Sequence, residues 1–244
     1  MSAIWTPFSY IITNLARFIR PNEITFSGVN STIPMLACLM AKKAYDWDFI
    51  YINVAGGVDP RPSSIPISSS DPVLAENSAS IFANEDFYDL CCRGKMDLTF
   101  LGAAQIDSEG NANNSCIGDW HKPKVRLPGG GGGAVMLPTA KRACTWRTEH
   151  STRTFVEKLD FRTSWGGFHG VVTPIAVFIK KNGRLALDSW HPESSLDEVQ
   201  DRTAFEFDHT NAAPTALPTQ KEIEALQSLD PHGSFEKDAS ISLR

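Results

Sequence analysis

The chain has no Cys-X-X-Cys pair among its five cysteines, no Gly-X-Ser-X-Gly elbow, and no Lys-Ser/Thr after its longest glycine run. Those absences argue against a cysteine-paired metal or redox motif, an α/β-hydrolase serine and a nucleotide P-loop. Basic residues are not in excess: 23 Lys+Arg stand against 28 Asp+Glu, for a formal net charge of −5. A nucleic-acid footprint is therefore not expected. The longest apolar run, Ile33 to Ala41, would cover only about half a bilayer. No charged-then-apolar export pattern precedes Ala16-Arg17, so no membrane role and a cytoplasmic location are the expectations. An odd cysteine count that includes vicinal Cys91-Cys92 reads as reduced thiols. His121, His150, His169, His191, His209 and His232 show no metal-ligand spacing, so they read as structural and no metal is expected. What is present is 244 residues, 42% of them hydrophobic, enough for one large α/β domain.

Thr6-Pro7 predicts a helix start, and Phe8, Ile11, Ile12, Leu15, Phe18 and Ile19 recur at helical spacing behind it. Ile24 to Val29 reads as a strand, Thr32 to Lys43 as a helix, and Asp48 to Val54 as a second strand ended by Gly56-Gly57. Asp59 to Pro72, rich in proline and serine, reads as a loop. Asn84 is read as the cap of a helix through Cys91, closed by Gly94, before a third strand from Met96 to Leu101. Near-continuous apolar strands alternating with helices predict an α/β fold: a mostly parallel, Rossmann-like open sheet with helices on both faces. Further strand-like runs lie at 143–147, 154–161 and 175–179, and Lys181-Asn182-Gly183 reads as a hairpin turn. Ser194 or Ser195 caps a helix read as reaching Phe205, and Pro218 to Leu229 reads as the last helix. The expected organisation is a single domain over 1–229 with a loosely attached tail over 230–244.

Five consecutive glycines, Gly129 to Gly133, precede Ala134. Such a run lets a ligand approach the backbone and lets several N–H groups point at one anion or oxyanion, although a flexible low-complexity loop has the same composition. Lys122, Lys124 and Arg126 lie just upstream, and Arg61 sits in the proline/serine loop; cations beside a glycine loop suit phosphate groups, or simply a solvated surface. Residue chemistry alone reaches an α/β protein with an anion-binding glycine loop.

Four stretches go further. Phe100 to Asn114 resembles the pattern LGxxQVDxxGNxN, and Arg126 to Ala134 a glycine-rich segment. His150 to Ser164 resembles HxxRxFVEKxDFxTS, and Val171 to Phe178 with His191-Pro192 and Glu198-Val199 resembles VVTxLAVF…HPG…EVxxxTGF. Together, in order, they resemble the β subunit of family I CoA-transferases, most like the glutaconate group, over about residues 10 to 208. The resemblance implies the fold of that family, a CoA thioester as substrate with no permanently bound cofactor, and a homologous α subunit in an α2β2 assembly with the site at their junction. Its coenzyme-binding pattern GxG(G/A)F falls on Gly130, Gly131, Gly132, Gly133 and Ala134, with Ala134 in place of Phe. Arg126, Val54, Gly56 and Gln105 are then the expected substrate-side residues, with Gln105 and Asn111 shaping the loop beneath.

One departure decides the reading. The transferases carry a nucleophilic Glu in an ExGxxG motif after the second strand, where this chain has Val54-Ala55-Gly56-Gly57. Gly56 is kept, but Val54 (or Asn53 in the adjacent register) cannot form an acyl anhydride, and Glu76 and Glu85 fall outside the motif. This Glu-less pattern resembles the steroid ring-opening hydrolases, which cleave a carbon–carbon bond of a cyclic β-diketone CoA thioester with a carboxylate of the α subunit. A catalytic residue of this chain is therefore not assigned. The alternatives are a CoA-transferase β subunit moving CoA between an acyl-CoA and a carboxylate, and a non-catalytic CoA-binding, partner-stabilising subunit.

Overall fold

The computed structural model describes residues 6–237. The strands are β1 (Ile24–Ser27), β2 (Ile50–Asn53), β3 (Gly57–Val58), β4 (Ser80–Ile81), β5 (Leu98–Phe100), β6 (Gln105–Ile106), β7 (Ala112–Asn113), β8 (Cys116–Gly118), β9 (Pro123–Arg126), β10 (Arg142–Trp146), β11 (Gly170–Val172), β12 (Ala176–Lys181), β13 (Arg184–Trp190) and β14 (Ala213–Pro214). The α-helices are α1 (Pro7–Ala16), α2 (Thr32–Ala44), α3 (Asn84–Cys92), α4 (Gly133–Thr139), α5 (Leu196–Asp201) and α6 (Gln220–Leu229). Ten strands form one open sheet in the order β14-β13-β12-β11-β10-β5-β1-β2-β3-β4. Its centre, from β11 through β2, is parallel, and antiparallel strands flank it on both sides. This is the mostly parallel α/β sheet expected.

Strand alternation divides the core between two faces. Leu98, Phe100 and Cys144 face a cluster built with α1, α2 and α6, while Phe26 and Ala143 face one built with α3, α4 and α5. Helices therefore cover both faces, which the continuous apolar strands demanded. Helix α1 begins as read: the Thr6 hydroxyl accepts from the Ser9 N–H, and Pro7 takes the first position. The hairpin at Asn182-Gly183 has φ of +50° and +81°, the pair a tight two-residue turn needs.

Several local readings are corrected. Asn84 is the first residue of α3 rather than its cap; the cap is Ala83, whose N–H donates to the Asp86 carboxylate. Residues 154–161 are not a strand. They are turns with one bridge, Phe155 to Ile106, because the Thr154 and Phe155 N–H groups fold back onto the Ser151 carbonyl. Helix α5 is capped by Ser195 and ends at Asp201, leaving Phe205 buried beyond it. Of the tail, residues 238–244 lie outside the described residues; before them, the Asp230 carboxylate accepts from the Ser234 and Phe235 N–H groups, and Phe235 joins the core. Among the described residues the five cysteines are free thiols, and no helix is long and apolar enough to cross a membrane.

Candidate functional site

In open α/β sheets, ligands bind outside the carboxyl ends of the parallel strands, where the strand order reverses. Here the chain leaves β1 for β2 on one side and returns with β5 on the other, so the reversal falls between β1 and β5. The segments that leave this end are the turn after β2, the loop after β5 and the exit of β10.

The turn after β2 is fully committed. Buried Asn53 donates its amide to the Leu74 carbonyl (2.8 Å) and accepts from the N–H groups of Ala55 (2.9 Å) and Gly57 (3.4 Å). Val54 follows, half-buried, its N–H bonded to the Ser27 carbonyl and its side chain packed against the second core cluster. Gly56 has φ of +94°, and a Cβ there would sit 2.8 Å from the Phe82 carbonyl oxygen. Only glycine fits, which accounts for its retention. No carboxylate occurs between Asn53 and Val58. Glu76 and Glu85 are both exposed, and Glu76 is spent on Ser63.

The glycine segment is the opposite. Its entry is fixed, because the Gly129 N–H donates to the Asn114 carbonyl (2.7 Å). A Cβ on Gly130 would meet the Thr163 methyl at 2.8 Å, and one on Gly132 the Tyr88 hydroxyl at 2.9 Å. Gly131 has φ of +48° and open space around it. Gly133 closes a turn onto Gly130, but the N–H groups of Gly130, Gly131, Gly132 and Ala134 make no hydrogen bond among the described residues. Ala134, in place of the family's Phe, is exposed. The segment is thus ordered at its base and offers several uncommitted donors at its tip.

Asn114 ties this segment to the sheet: its amide donates to the Gly102 carbonyl (2.8 Å) and accepts from the Ala104 N–H (2.8 Å), just after β5. Helix α3 lies between the two halves of the site. Phe82, just before it, touches Gly56, and Tyr88 on it touches Gly132. Val54, Gly56 and the glycine segment therefore gather around one helix on one face of the sheet.

The other expected residues divide. Gln105 is buried; its oxygen accepts from Asn113 (2.6 Å) and its amide donates to Asp160 (2.9 Å). Both bonds tie it into the loop. Asn111 likewise donates to Asp107 and Glu109. Arg126 is exposed, lies over the Trp120 ring (4.6 Å), and Trp120 in turn stacks on Phe161 (4.5 Å). It carries no carboxylate partner among the described residues.

His150 bonds Thr173 and Thr203, and His191 bonds Thr215 and the Thr173 carbonyl. Burial pushes their pKa values down to about 3 and about 4, so both are neutral struts. Among the described residues no cluster of three or more His, Cys, Asp or Glu could hold a metal. Sequence reasoning passed over Arg147, at the exit of β10. It donates to the Ala103 carbonyl (3.0 Å), while its buried Nε–H has no acceptor and desolvation lowers its pKa.

The Coenzyme A transferase family model matches residues 8–202, and the chain belongs to that family. It is 31% identical to a subunit of the 3-oxoadipate CoA-transferase of Pseudomonas knackmussii, covering 88% of this chain and 89% of that one. A subunit of the glutaconate CoA-transferase of Acidaminococcus fermentans is 28% identical, covering 91% of each. The cholesterol ring-cleaving hydrolase IpdB subunit of Rhodococcus jostii is 26% identical over 63% of this chain and 67% of its own. The crystal structure of the decarboxylase AibA/AibB superposes with a TM-score of 0.88 at 26% identity, covering 95% of this chain and 98% of that one.

Proposed function

We propose that this chain is the β subunit of a heteromeric enzyme that cleaves a carbon–carbon bond in a CoA thioester, and that it does so without a glutamyl nucleophile of its own. The observation that carries this is Val54. The transferase Glu position is occupied by a half-buried aliphatic side chain in a turn whose neighbours leave no carboxylate within it. Gly130, Gly131, Gly132 and Ala134 offer uncommitted donors to the thioester, Gly133 closes the turn that holds them, and a homologous α subunit completes the site and supplies the carboxylate that activates water.

The favoured reaction is hydrolytic opening of a cyclic β-diketone. Water adds to one ketone, the bond to the flanking carbon breaks, a carboxylic acid forms, and the electron pair departs as an enolate that takes up a proton. Free N–H groups fixed before the reaction favour the developing oxyanion, and each such donor is worth roughly 10²- to 10³-fold in rate. The similarity to IpdB, a ring-cleaving hydrolase subunit, supports this choice. Decarboxylation is the second reading, favoured by the likeness to AibA/AibB over 95% of the chain. It passes through the same kind of carbanion and needs the same donors.

The test uses the chain co-purified with its α partner and a panel of CoA thioesters, with and without acetate or succinate. Loss of a cyclic diketone thioester that is indifferent to carboxylates and leaves CoA on the opened acid is the expected result. Release of CO₂ selects the second reading. Transfer of CoA to the added carboxylate, or a glutamyl-CoA adduct trapped on this chain, overturns both. Val54→Glu is expected to yield no such adduct, because Asp59 stands where the motif has its last glycine.

A further inference from the structure

The proline/serine loop holds open a second hollow that the site above does not use. It has a volume of 730 Å³, within the roughly 300–1,000 Å³ of ordinary ligand sites. Asp59 pairs back onto Tyr51, and Lys42, near the end of α2, lies beside Asp48, just before β2. The hollow therefore sits by the amino end of β2, the end opposite the 53–57 turn. Its floor is apolar: Leu39, Tyr51 and Leu229 are buried, and Ile65 packs partly against the same cluster.

Its outer wall is built. The Asp59 N–H donates to the Tyr51 carbonyl (2.7 Å), and the Tyr51 N–H returns a bond to the Asp59 carboxylate (2.8 Å). The Arg61 N–H bonds the Glu76 carbonyl, the Arg61 carbonyl accepts from Asn77, and both the N–H and hydroxyl of Ser63 bond the Glu76 carboxylate. Pro60 and Pro62 stiffen the segment between these pins. A wall fastened this way cannot collapse onto the apolar floor, so the space persists.

The charges are sorted. Lys42 lies between Asp48 (2.7 Å) and Asp59 (2.8 Å) and holds both acids that line the hollow, so that with Lys43 and Arg61 the lining is positive by one charge. Two exposed cations remain at the mouth, Arg61 and Lys43, and among the described residues neither has a carboxylate within 4.0 Å. The Lys43 ammonium reaches only the Ser228 hydroxyl (3.1 Å). An apolar floor beneath a guanidinium and an ammonium that have no carboxylate partner suits a hydrocarbon body with an anionic head. We infer that this hollow, lined by Leu39, Tyr51, Ile65 and Leu229 and gated by Lys43 and Arg61, is a binding site for an amphiphilic organic acid, separate from the CoA-thioester site.

Calorimetry on the co-purified complex tests it with octanoate, octan-1-ol and acetate. Octanoate is expected to bind with an affinity that falls with salt; octanol and acetate, each missing one half of the match, bind at least tenfold more weakly. The double substitution Lys43→Ala/Arg61→Ala weakens octanoate at least tenfold, and Ser64→Trp blocks the mouth. Both changes are at exposed positions, so the fold is retained. CoA-thioester turnover of Ser64→Trp in the absence of octanoate is unchanged, which separates this inference from the function proposed above. Undetectable octanoate binding, binding that ignores the double substitution, or octanol binding equally well overturns it.

Discussion

Two segments meet around α3, and they are built on opposite principles. In the turn after β2, the Asn53 amide bonds the backbone around it on both its nitrogen and its oxygen, and Val54 packs half-buried against the core. In the glycine segment only the base is tied down, through Asn114 and the close packing of Thr163 and Tyr88, while the tip keeps its N–H groups free. A covalent transferase needs both segments to be reactive: one to attack and one to steady the oxyanion. Under the function proposed above, this chain keeps the second and uses the first as structure. Chemistry that relies on charge stabilisation alone is what survives such a division.

The comparison breaks most visibly at Gly131. Gly131→Pro cannot adopt the positive φ and removes a free donor, so kcat/KM of the complex should fall roughly 10²- to 10³-fold with an intact fold, read by steady-state kinetics beside a thermal melt. A loss of stability without a loss of rate would mean the donors are idle. The opposite signature belongs to Asn53→Ala. It strands the Leu74 carbonyl and two N–H groups, costing about 1–3 kcal/mol in denaturant unfolding. Thr163→Val probes the base of the glycine segment. It deletes the hydroxyl that accepts from the Asn114 N–H and bonds Ser115, for about 1 kcal/mol of stability and a smaller rate effect than Gly131→Pro. Arg126→Ala should matter least, about 0.5–1 kcal/mol from its exposed contact with Trp120, measured by chemical denaturation.

The parallel centre of the fold was legible because its strands are largely apolar and alternate with helices; Thr6 and Pro7 place the start of α1, whose apolar stripe was read through Ile19 although the helix ends at Ala16. The run at 154–161 misled because its aromatic and β-branched residues are buried by long-range packing, Phe155 against His150 and Phe178, rather than by strand pairing. At the site, the glycine run was conspicuous, and the missing Glu could be seen once the family pattern was laid over Val54. For Gln105, sequence does not show that its side chain is buried and bonded to Asn113 and Asp160. Arg147 was hidden for the converse reason: an unmatched Nε–H is a property of its surroundings. The hollow at the proline/serine loop was equally invisible, since its wall is held by contacts between Arg61, Ser63 and Glu76, more than ten residues apart.

The two outermost strands of the large sheet, β14 and β4, are each only two residues long, and one of them ends in Pro214. A ten-stranded sheet would otherwise present long rows of unpaired amides to any passing chain. Trimmed this way, it offers almost no template for another strand to join, so a protein docking here must mate through side chains and loops instead of prolonging the sheet. Such a joint is sealed by shape and can be separated and remade without unzipping the backbone ladder, and aggregation through the edges is suppressed by the same economy of length.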